Sequence, residues 1–255
     1  MFSKTHIKCP DNIFEQLSKS VEFEDICKGR IGTNIVLIDK HNRIPIVRTT
    51  TKYTKPAHNF TKLHSDLVNR IKQITGISFL NNAMIEIYDH NYKTMGYHCD
   101  QAQDLDPDSY IVIYSCYNNP DTKDLRKLKI KHKENKDESF EIIMDHNSVL
   151  YFSVSTNSLY LHKIVLEMEK GRREEFDIDT KWLGITLRVS KTYIKFIDNM
   201  AYFNNNKQLR LLNDSEDKEK MKKYYKLRGM ENRNIIFGYP DLDYTISSSD
   251  LMIPI

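Results

Sequence analysis

His98 and Asp100 stand two residues apart in Tyr97-His98-Cys99-Asp100. On a strand, residues i and i+2 point to the same side. An imidazole and a carboxylate placed this way are two of the ligands needed to cap one face of a metal. A second histidine from elsewhere in the fold would complete a 2-His-1-carboxylate set. That set leaves positions open for a cosubstrate and O2, and it suits non-haem Fe(II). H-x-D alone arises often by chance, so the rest of the chain must supply the second histidine, an anion anchor and a β-rich frame.

The chain has nine histidines. His6, His41, His58, His64, His90, His132 and His146 fall in loops, on a helix or in polar surroundings. His162 lies inside the strand-like run Leu159-Tyr160-Leu161-His162-Lys163-Ile164-Val165. A lone strand histidine is more often a hydrogen-bonded core residue, but with His98 and Asp100 upstream the metal reading is the better one. Downstream, Arg188 sits in the otherwise apolar run Trp182-Leu183-Gly184-Ile185-Thr186-Leu187-Arg188. A buried guanidinium is costly unless paired, and its planar fork suits a carboxylate. The alternatives are a structural ion pair or a solvent-facing residue.

These residues need elements to position them. Asp11 to Phe23 reads as a short helix capped by Asp11, and Asn34 to Ile38 as a buried strand followed by a second at Ile44 to Thr50. Asn59 to Thr75 is the clearest helix, with Leu63, Leu67, Val68, Ile71 and Ile74 at helical spacing and Gly76 as terminator. Strands are expected at 83–88, 110–117, 125–131, 139–144, 148–154, 160–167 and 183–190. Polar turns separate them, among them Ser155-Thr156-Asn157. Short strands at such spacing indicate a sandwich or barrel. Asn213 to Leu227 reads as a charged helix, most simply a solvated face.

The bulk properties fit a globular protein. The chain has 255 residues, 40% hydrophobic and 29% charged, with a formal net charge of +3. No apolar run is long enough to span a membrane, and no secretory signal region opens the chain. An intracellular location, cytoplasm or nucleus, is therefore expected. The Lys-, Asn- and Ile-rich composition would suit an AT-rich genome such as that of a large DNA virus. Cys9, Cys27, Cys99 and Cys116 form no C-x-x-C pair, so reduced thiols are expected. The mild positive charge permits a polyanionic partner without demanding one. Oligomeric state is not readable.

Taken in order, the motifs over roughly residues 44–190 resemble the AlkB-like Fe(II)/2-oxoglutarate-dependent dioxygenases. Arg48-Thr49-Thr50 is similar to that family's P-R-x-T, with Val47 at the proline. Phe79-Leu80-Asn81 falls where the family has F-N. Tyr88 and Gly96-Tyr97-His98-Cys99-Asp100 match its Y…G-x-H-x-D. Asn147-Ser148-Val149-Leu150 with Tyr160-Leu161-His162 resembles G-S-L-L…W-x-H, and Thr186-Leu187-Arg188 matches the end of R-x-N-x-T-F-R. The resemblance implies an α+β fold: a double-stranded β-helix (jelly-roll) core with supporting helices and a helical C-terminal extension. It places a dioxygenase domain at 1–198, with N-terminal support at 1–76 and the jelly-roll at about 79–196, and a charged extension at 199–255.

The same resemblance implies that His98, Asp100 and His162 bind Fe(II), that Arg188 meets a 2-oxoglutarate carboxylate and that Tyr88 hydrogen-bonds the cosubstrate. It implies O2 and 2-oxoglutarate as partners, with oxidative demethylation of alkylated DNA or RNA, as in DNA repair. The departures fall around the cosubstrate. Trp182 and Gly184 stand at the family's first Arg and its Asn, Glu86 at another Asn, and Gln101-Ala102 at an acidic pair. Arg188 alone, or with Lys195, Arg172 or Arg173, then has to hold the distal carboxylate. A second register, with Arg188-Val189-Ser190-Lys191-Thr192 as R-x-N-x-T, also keeps Arg188. Tyr53, Tyr92 and Tyr97 are candidates to receive a base, and Lys52, Lys55 and Lys93 to meet phosphates. A hydroxylase of a protein or small molecule is the alternative, and a non-catalytic jelly-roll binding module the third.

Overall fold

The computed structural model describes residues 1–168 and 175–255. In chain order the first half holds β1 (Ser3–His6), α1 (Ile13–Ser18), β2 (Glu24–Cys27), β3 (Arg30–Val36), β4 (Ile44–Pro45), β5 (His58–Asn59), α2 (Lys62–Thr75), β6 (Asn82–Tyr88) and β7 (Tyr110–Tyr117). There follow β8 (Lys127–His132), β9 (Ser139–Ile143), β10 (Ser148–Ser153), α3 (Val154–Leu159), β11 (Tyr160–Val165) and β12 (Trp182–Arg188). The chain ends with β13 (Tyr193–Ile197), β14 (Met200–Phe203), β15 (Arg210–Leu211), α4 (Lys218–Arg233), β16 (Tyr244–Thr245) and a 3-10 turn, Ser248–Leu251.

The large sheet runs β1-β10-β7-β12-β6-β3-β2, antiparallel throughout, and β5 adds to β3 in parallel. A smaller sheet, β11-β8-β9, faces it. Two opposed antiparallel sheets are the architecture of a jelly-roll. Strand periodicity sorts the side chains of the central strands. Leu183, Ile185 and Leu187 of β12, with Ala83, Ile85 and Ile87 of β6, join a core that includes Leu67 and Ile71 of α2 and Leu17 of α1. Their neighbours Trp182 and Tyr88 join the second core, between the sheets, with Ile113, Leu128, Phe152 and Ile164. One face is therefore apolar against the helices, and the other carries the unusual residues inward.

α2 is secured at both ends. Thr61 and His64 form a capping box, and Gly76 takes the left-handed conformation (φ 75°) with its N–H on Lys72 O. Its apolar face is as expected except for Ile74, which is 51% exposed.

Several expected elements are shorter or different. α1 covers Ile13–Ser18, not Asp11 to Phe23. Lys19 N–H bonds Glu15 O, Ser20 Oγ donates to Leu17 O, and the chain turns into β2. Of Ile44 to Thr50 only Ile44–Pro45 pairs, because Arg48 N–H turns away to Asp104 Oδ2 at 2.8 Å. The expected turn Ser155-Thr156-Asn157 is the short helix α3, capped by Ser153 Oγ accepting from Thr156 N–H.

The stretch beyond residue 199 folds back onto the core. Asp198 and Asn199 both have positive φ, closing the β13–β14 hairpin. Arg48 Nη1 donates to Leu242 O and Tyr244 O, and Tyr53 N–H donates to Ser247 Oγ. α4 differs from the solvated helix expected from its charges. Lys218, Lys222, Lys223 and Lys226 are exposed, but Tyr224 and Glu231 are buried. Among the described residues no helix is long and apolar enough to cross a membrane.

Candidate active site

His98, Asp100 and His162 converge, with their ligand atoms within 4.8 Å of one another. The H-x-D segment is not a continuous strand, as expected from spacing. His98 forms a single β-bridge with His162, with His98 N to His162 O at 3.0 Å and the reverse at 2.7 Å, and Asp100 lies in irregular chain. Asn157 of α3 holds Asp100 instead: Asn157 Oδ1 accepts from Asp100 N–H and Asn157 Nδ2 donates to Asp100 O, both at 2.8 Å.

The ring of His98 is oriented for ligation. Its Nδ1 lies 2.9 Å from Gly96 O. A carbonyl can only accept, so Nδ1 carries the proton and Nε2 presents its lone pair. Burial pushes the His98 pKa down to about 3, with His162 adding to it, so the ring is neutral. His162 Nε2 is 3.4 Å from Asp100 Oδ1, and its Nδ1 is buried without a partner among the described residues. Burial alone would raise the Asp100 carboxyl. Arg188, then His162 and His98, hold it far below the usual carboxylate range. Two imidazoles, one of them with its Nε2 lone pair free, and one ionised carboxylate on one side of a cavity are a donor set that fits Fe(II).

The cavity, about 430 Å³, is bordered by all three residues and by Arg188, Tyr88, Met84, Glu86, Thr186, Ile113 and Ile164. That is in the size range of small-molecule sites. Arg188 is 5% exposed, and its Nε donates to Asp100 Oδ2 at 2.8 Å. Its two Nη atoms have no protein partner among the described residues. The Tyr88 hydroxyl donates to Glu86 Oε2 at 2.6 Å, and burial first, then Glu86, raises its pKa well above 10.

Trp182 and Gly184 explain each other. The Trp182 indole lies across Gly184, where a Cβ would overlap its ring, and Nε1 donates to Ser115 Oγ at 2.7 Å. The indole packs 4.9 Å from the Tyr88 ring, with Arg126 behind both. Arg126 is 2% exposed, and among the described residues its guanidinium bonds the carbonyls of Asp89 and Tyr92. Burial lowers its pKa to about 10.

Sequence reasoning missed Arg30. It sits on β3, 56 residues from its partner Glu86, and the β3–β6–β12 register places Arg30, Tyr88 and Trp182 in one row. Arg30 donates to Glu86 Oε1 through Nε and Nη2, and Tyr53 OH donates to the same oxygen. Burial alone would lower Arg30, but Glu86 keeps its pKa above the ordinary value. Tyr225, Arg228 and Asn232 of α4 also border the cavity and were missed. The only sequence signal was their shared helix face.

The other expected residues are placed elsewhere. Lys195 pairs with Tyr202 across β13–β14 and does not border the cavity. Arg172 and Arg173 lie outside the described residues. Tyr53 is buried, and Tyr92 stacks 4.6 Å from Tyr88. Lys52 pairs with Asp214 and Lys55 with Glu22, while Lys93 lies 3.8 Å from the Phe176 ring centre. Tyr97 borders the cavity, with Lys131 Nζ at 4.3 Å and Lys163 Nζ at 4.8 Å from its ring centre.

A jelly-roll holding a His-Asp-His cluster beside a small-molecule cavity is the frame of an iron oxygenase. The family model described as the 2OG-Fe(II) oxygenase superfamily matches residues 33–188, and the chain belongs to that superfamily. It is accordingly an Fe(II)- and 2-oxoglutarate-dependent dioxygenase, with O2 as the second cosubstrate. Among solved structures the chain is similar to one titled the structure of OsALKBH1. The two share 12% identity, 73% of this chain and 97% of that chain are covered, and the TM-score is 0.48. No curated protein matches the chain.

Proposed function

We propose that this dioxygenase is AlkB-like and removes alkyl groups from nucleobases in DNA or RNA, with residues 1–198 as its dioxygenase domain and α4 of the extension completing the cavity wall. In this reading His98, Asp100 and His162 hold Fe(II), which when bound supplies O2 activation coupled to decarboxylation of 2-oxoglutarate. Arg188 keeps Asp100 ionised and turns its two Nη atoms toward the cosubstrate's carboxylate. Arg30 receives the distal carboxylate, standing in for the arginine that Trp182 displaces, and Tyr88 joins it when its hydroxyl turns from Glu86 to the cosubstrate. Arg30 Nη1 is the atom available, since its one partner, the Tyr92 hydroxyl, is 3.4 Å away. The packed row of Trp182, Tyr88 and Arg126 keeps water from that end.

The observation that carries the substrate reading is the tyrosine pair on the cavity wall. Tyr97 lies beneath the two ammonium groups of Lys131 and Lys163, and Tyr225 of α4, 46% exposed, borders the same cavity. Aromatic faces receive an unstacked base, and lysines meet the flanking phosphates.

The test incubates the protein anaerobically with Fe(II) and 2-oxoglutarate, admits O2, and measures succinate and formaldehyde with and without methylated oligonucleotides. Formaldehyde release from an oligonucleotide is expected. Stacking contributes roughly 1–3 kcal/mol per base. Tyr97→Ala and Tyr225→Ala should therefore each lower kcat/KM for the oligonucleotide by about 5- to 150-fold, while substrate-free succinate formation persists. Succinate without formaldehyde from any oligonucleotide would transfer the reading to a protein or small-molecule hydroxylase. No succinate and no Fe(II) binding would refute the site assignment.

A further inference from the structure

The loop carrying two of the three proposed ligands is held mainly from outside the two sheets. Between His98 and Ala102 only His98 makes a β-bridge. Asn157 of α3 takes both backbone groups of Asp100, and side chains of α4 hold the residues on either side of it. Cys99 N–H donates to Asn232 Oδ1 at 3.0 Å, and Ala102 N–H donates to Glu231 Oε1 at 2.8 Å. Arg228 Nη2 donates to the Cys99 carbonyl, and the Gln101 amide donates to Tyr224 OH at 2.8 Å. Tyr224, Arg228, Glu231 and Asn232 recur at helical spacing and so form one face of α4. The face is neutral and internally braced. Arg228 Nη1 bonds Glu231 Oε2 at 2.5 Å, and Tyr239 OH donates to that same oxygen at 2.6 Å. Cys99, enclosed by this face, is fully buried.

We infer that α4 is a clamp on the ligand loop, and that Asn232 and Glu231 are positioning residues for the metal. With α4 docked, the backbone on both sides of Asp100 is fixed and His98 and Asp100 are presented at a set separation. With α4 released, Cys99 and Ala102 lose their partners, the His98 bridge and Asn157 remain, and ligation has to order the rest of the loop. The coupling is reciprocal: whatever α4 contributes to metal affinity, bound metal contributes to the docking of α4. The inference rests on the reading of His98, Asp100 and His162 as ligands.

The test uses the full chain and Co(II) alone, titrated anaerobically into metal-free protein and followed by visible absorbance. Partners of metal ligands commonly govern affinity by roughly 10- to 100-fold. Asn232→Ala and Glu231→Ala should weaken Co(II) binding by about that factor. Glu231→Gln keeps an acceptor for Ala102 N–H but sets an NH2 against Arg228 and Tyr239, so it should recover only part of the loss. Hydrogen exchange of the unmodified protein provides a second readout that needs no variant. The amides of Tyr224 to Asn232 should exchange more slowly with Co(II) than without it. Unchanged Co(II) affinity in both alanine variants, or α4 exchange indifferent to Co(II), would overturn the clamp while leaving the metal site standing. Failure of the unmodified protein to bind Co(II) would overturn the ligand assignment and the clamp with it.

Discussion

The Asp100–Arg188 pair makes a sharp test of how the site is built. Both side chains are nearly inaccessible, 8% and 5% exposed, and they meet at 2.8 Å through Nε. In metal-free protein Arg188 does most to hold the Asp100 carboxyl ionised, with His162 and His98 contributing less. Removing one member of a buried pair leaves the other charge uncompensated and costs about 3–5 kcal/mol. For a chain of this size that corresponds to a melting temperature lower by roughly 6–20 °C. Arg188→Met and Asp100→Asn should each show such a loss. The double variant carries neither charge, so its loss should fall short of the sum by about 2–3 kcal/mol.

The assay is urea unfolding of chelator-treated protein at pH 7, followed by fluorescence of Trp182, the chain's one tryptophan. A saturating divalent metal adds a second prediction. A cation beside Asp100 replaces the missing guanidinium, so Co(II) should restore part of the stability of Arg188→Met and little of that of Asp100→Asn. Single-variant losses that add within about 0.5 kcal/mol, or losses below about 1 kcal/mol, would refute the argument that this pair is buried, ionised and mutually dependent.

Two further tests concern the frame. Burial first, and His58 second, lower the pKa of His64 from 6.5 to about 4, and the neutral ring accepts Thr61 N–H at the start of α2. The folded state takes up this proton less readily than the unfolded chain. The contribution is complete above pH 6.5 and is lost as pH falls through about 4. It is worth about 3 kcal/mol. Urea midpoints at pH 7 and pH 4 should show that His64→Gln flattens this acid limb, and an unchanged limb would refute the assignment. Gly184→Ala should drive the Trp182 indole off Ser115, costing about 1–3 kcal/mol by overpacking. A red-shifted Trp182 emission would report it; unchanged emission and stability would show that the indole does not depend on that glycine.

The parts of the site legible in sequence are those set by strand periodicity. His162 and Arg188 were readable because each interrupts an apolar run at a position of fixed parity, and β11 and β12 form where those runs are. H-x-D was readable by residue type, although the support is a bridge and two helices, not a strand. What could not be read depends on pairing between distant segments. Arg30 is an ordinary surface-type residue until the β3–β6 register sets it beside Tyr88. Trp182 and Gly184 look like two separate departures from a family pattern, yet one indole accounts for both. α4 was misjudged for a related reason. Its buried contacts are made by Arg228, Glu231 and Asn232, and polar side chains that satisfy a loop cannot be told in sequence from polar side chains that face water.

These hidden residues share a physical feature. The odd-numbered residues of β6 and β12 pack on α1 and α2, where exchange of one aliphatic side chain for another is tolerated if volume is kept. Of the even-numbered residues, Met84, Glu86, Tyr88, Thr186 and Arg188 border the cavity, and beside them Arg30, Tyr53 and Tyr88 all bond the Glu86 carboxylate. A network of that kind resists change at any single member, because each substitution leaves a buried partner unsatisfied. The departures at Glu86, Trp182 and Gly184 therefore belong together, as one rebuilt end of the site proposed to receive the cosubstrate. The proposed role of Arg30 rests on the same logic: with an indole on β12, a cation for a dicarboxylate is sought on a neighbouring strand in the same row, and Arg30 of β3, paired with Glu86, is the one the register places there.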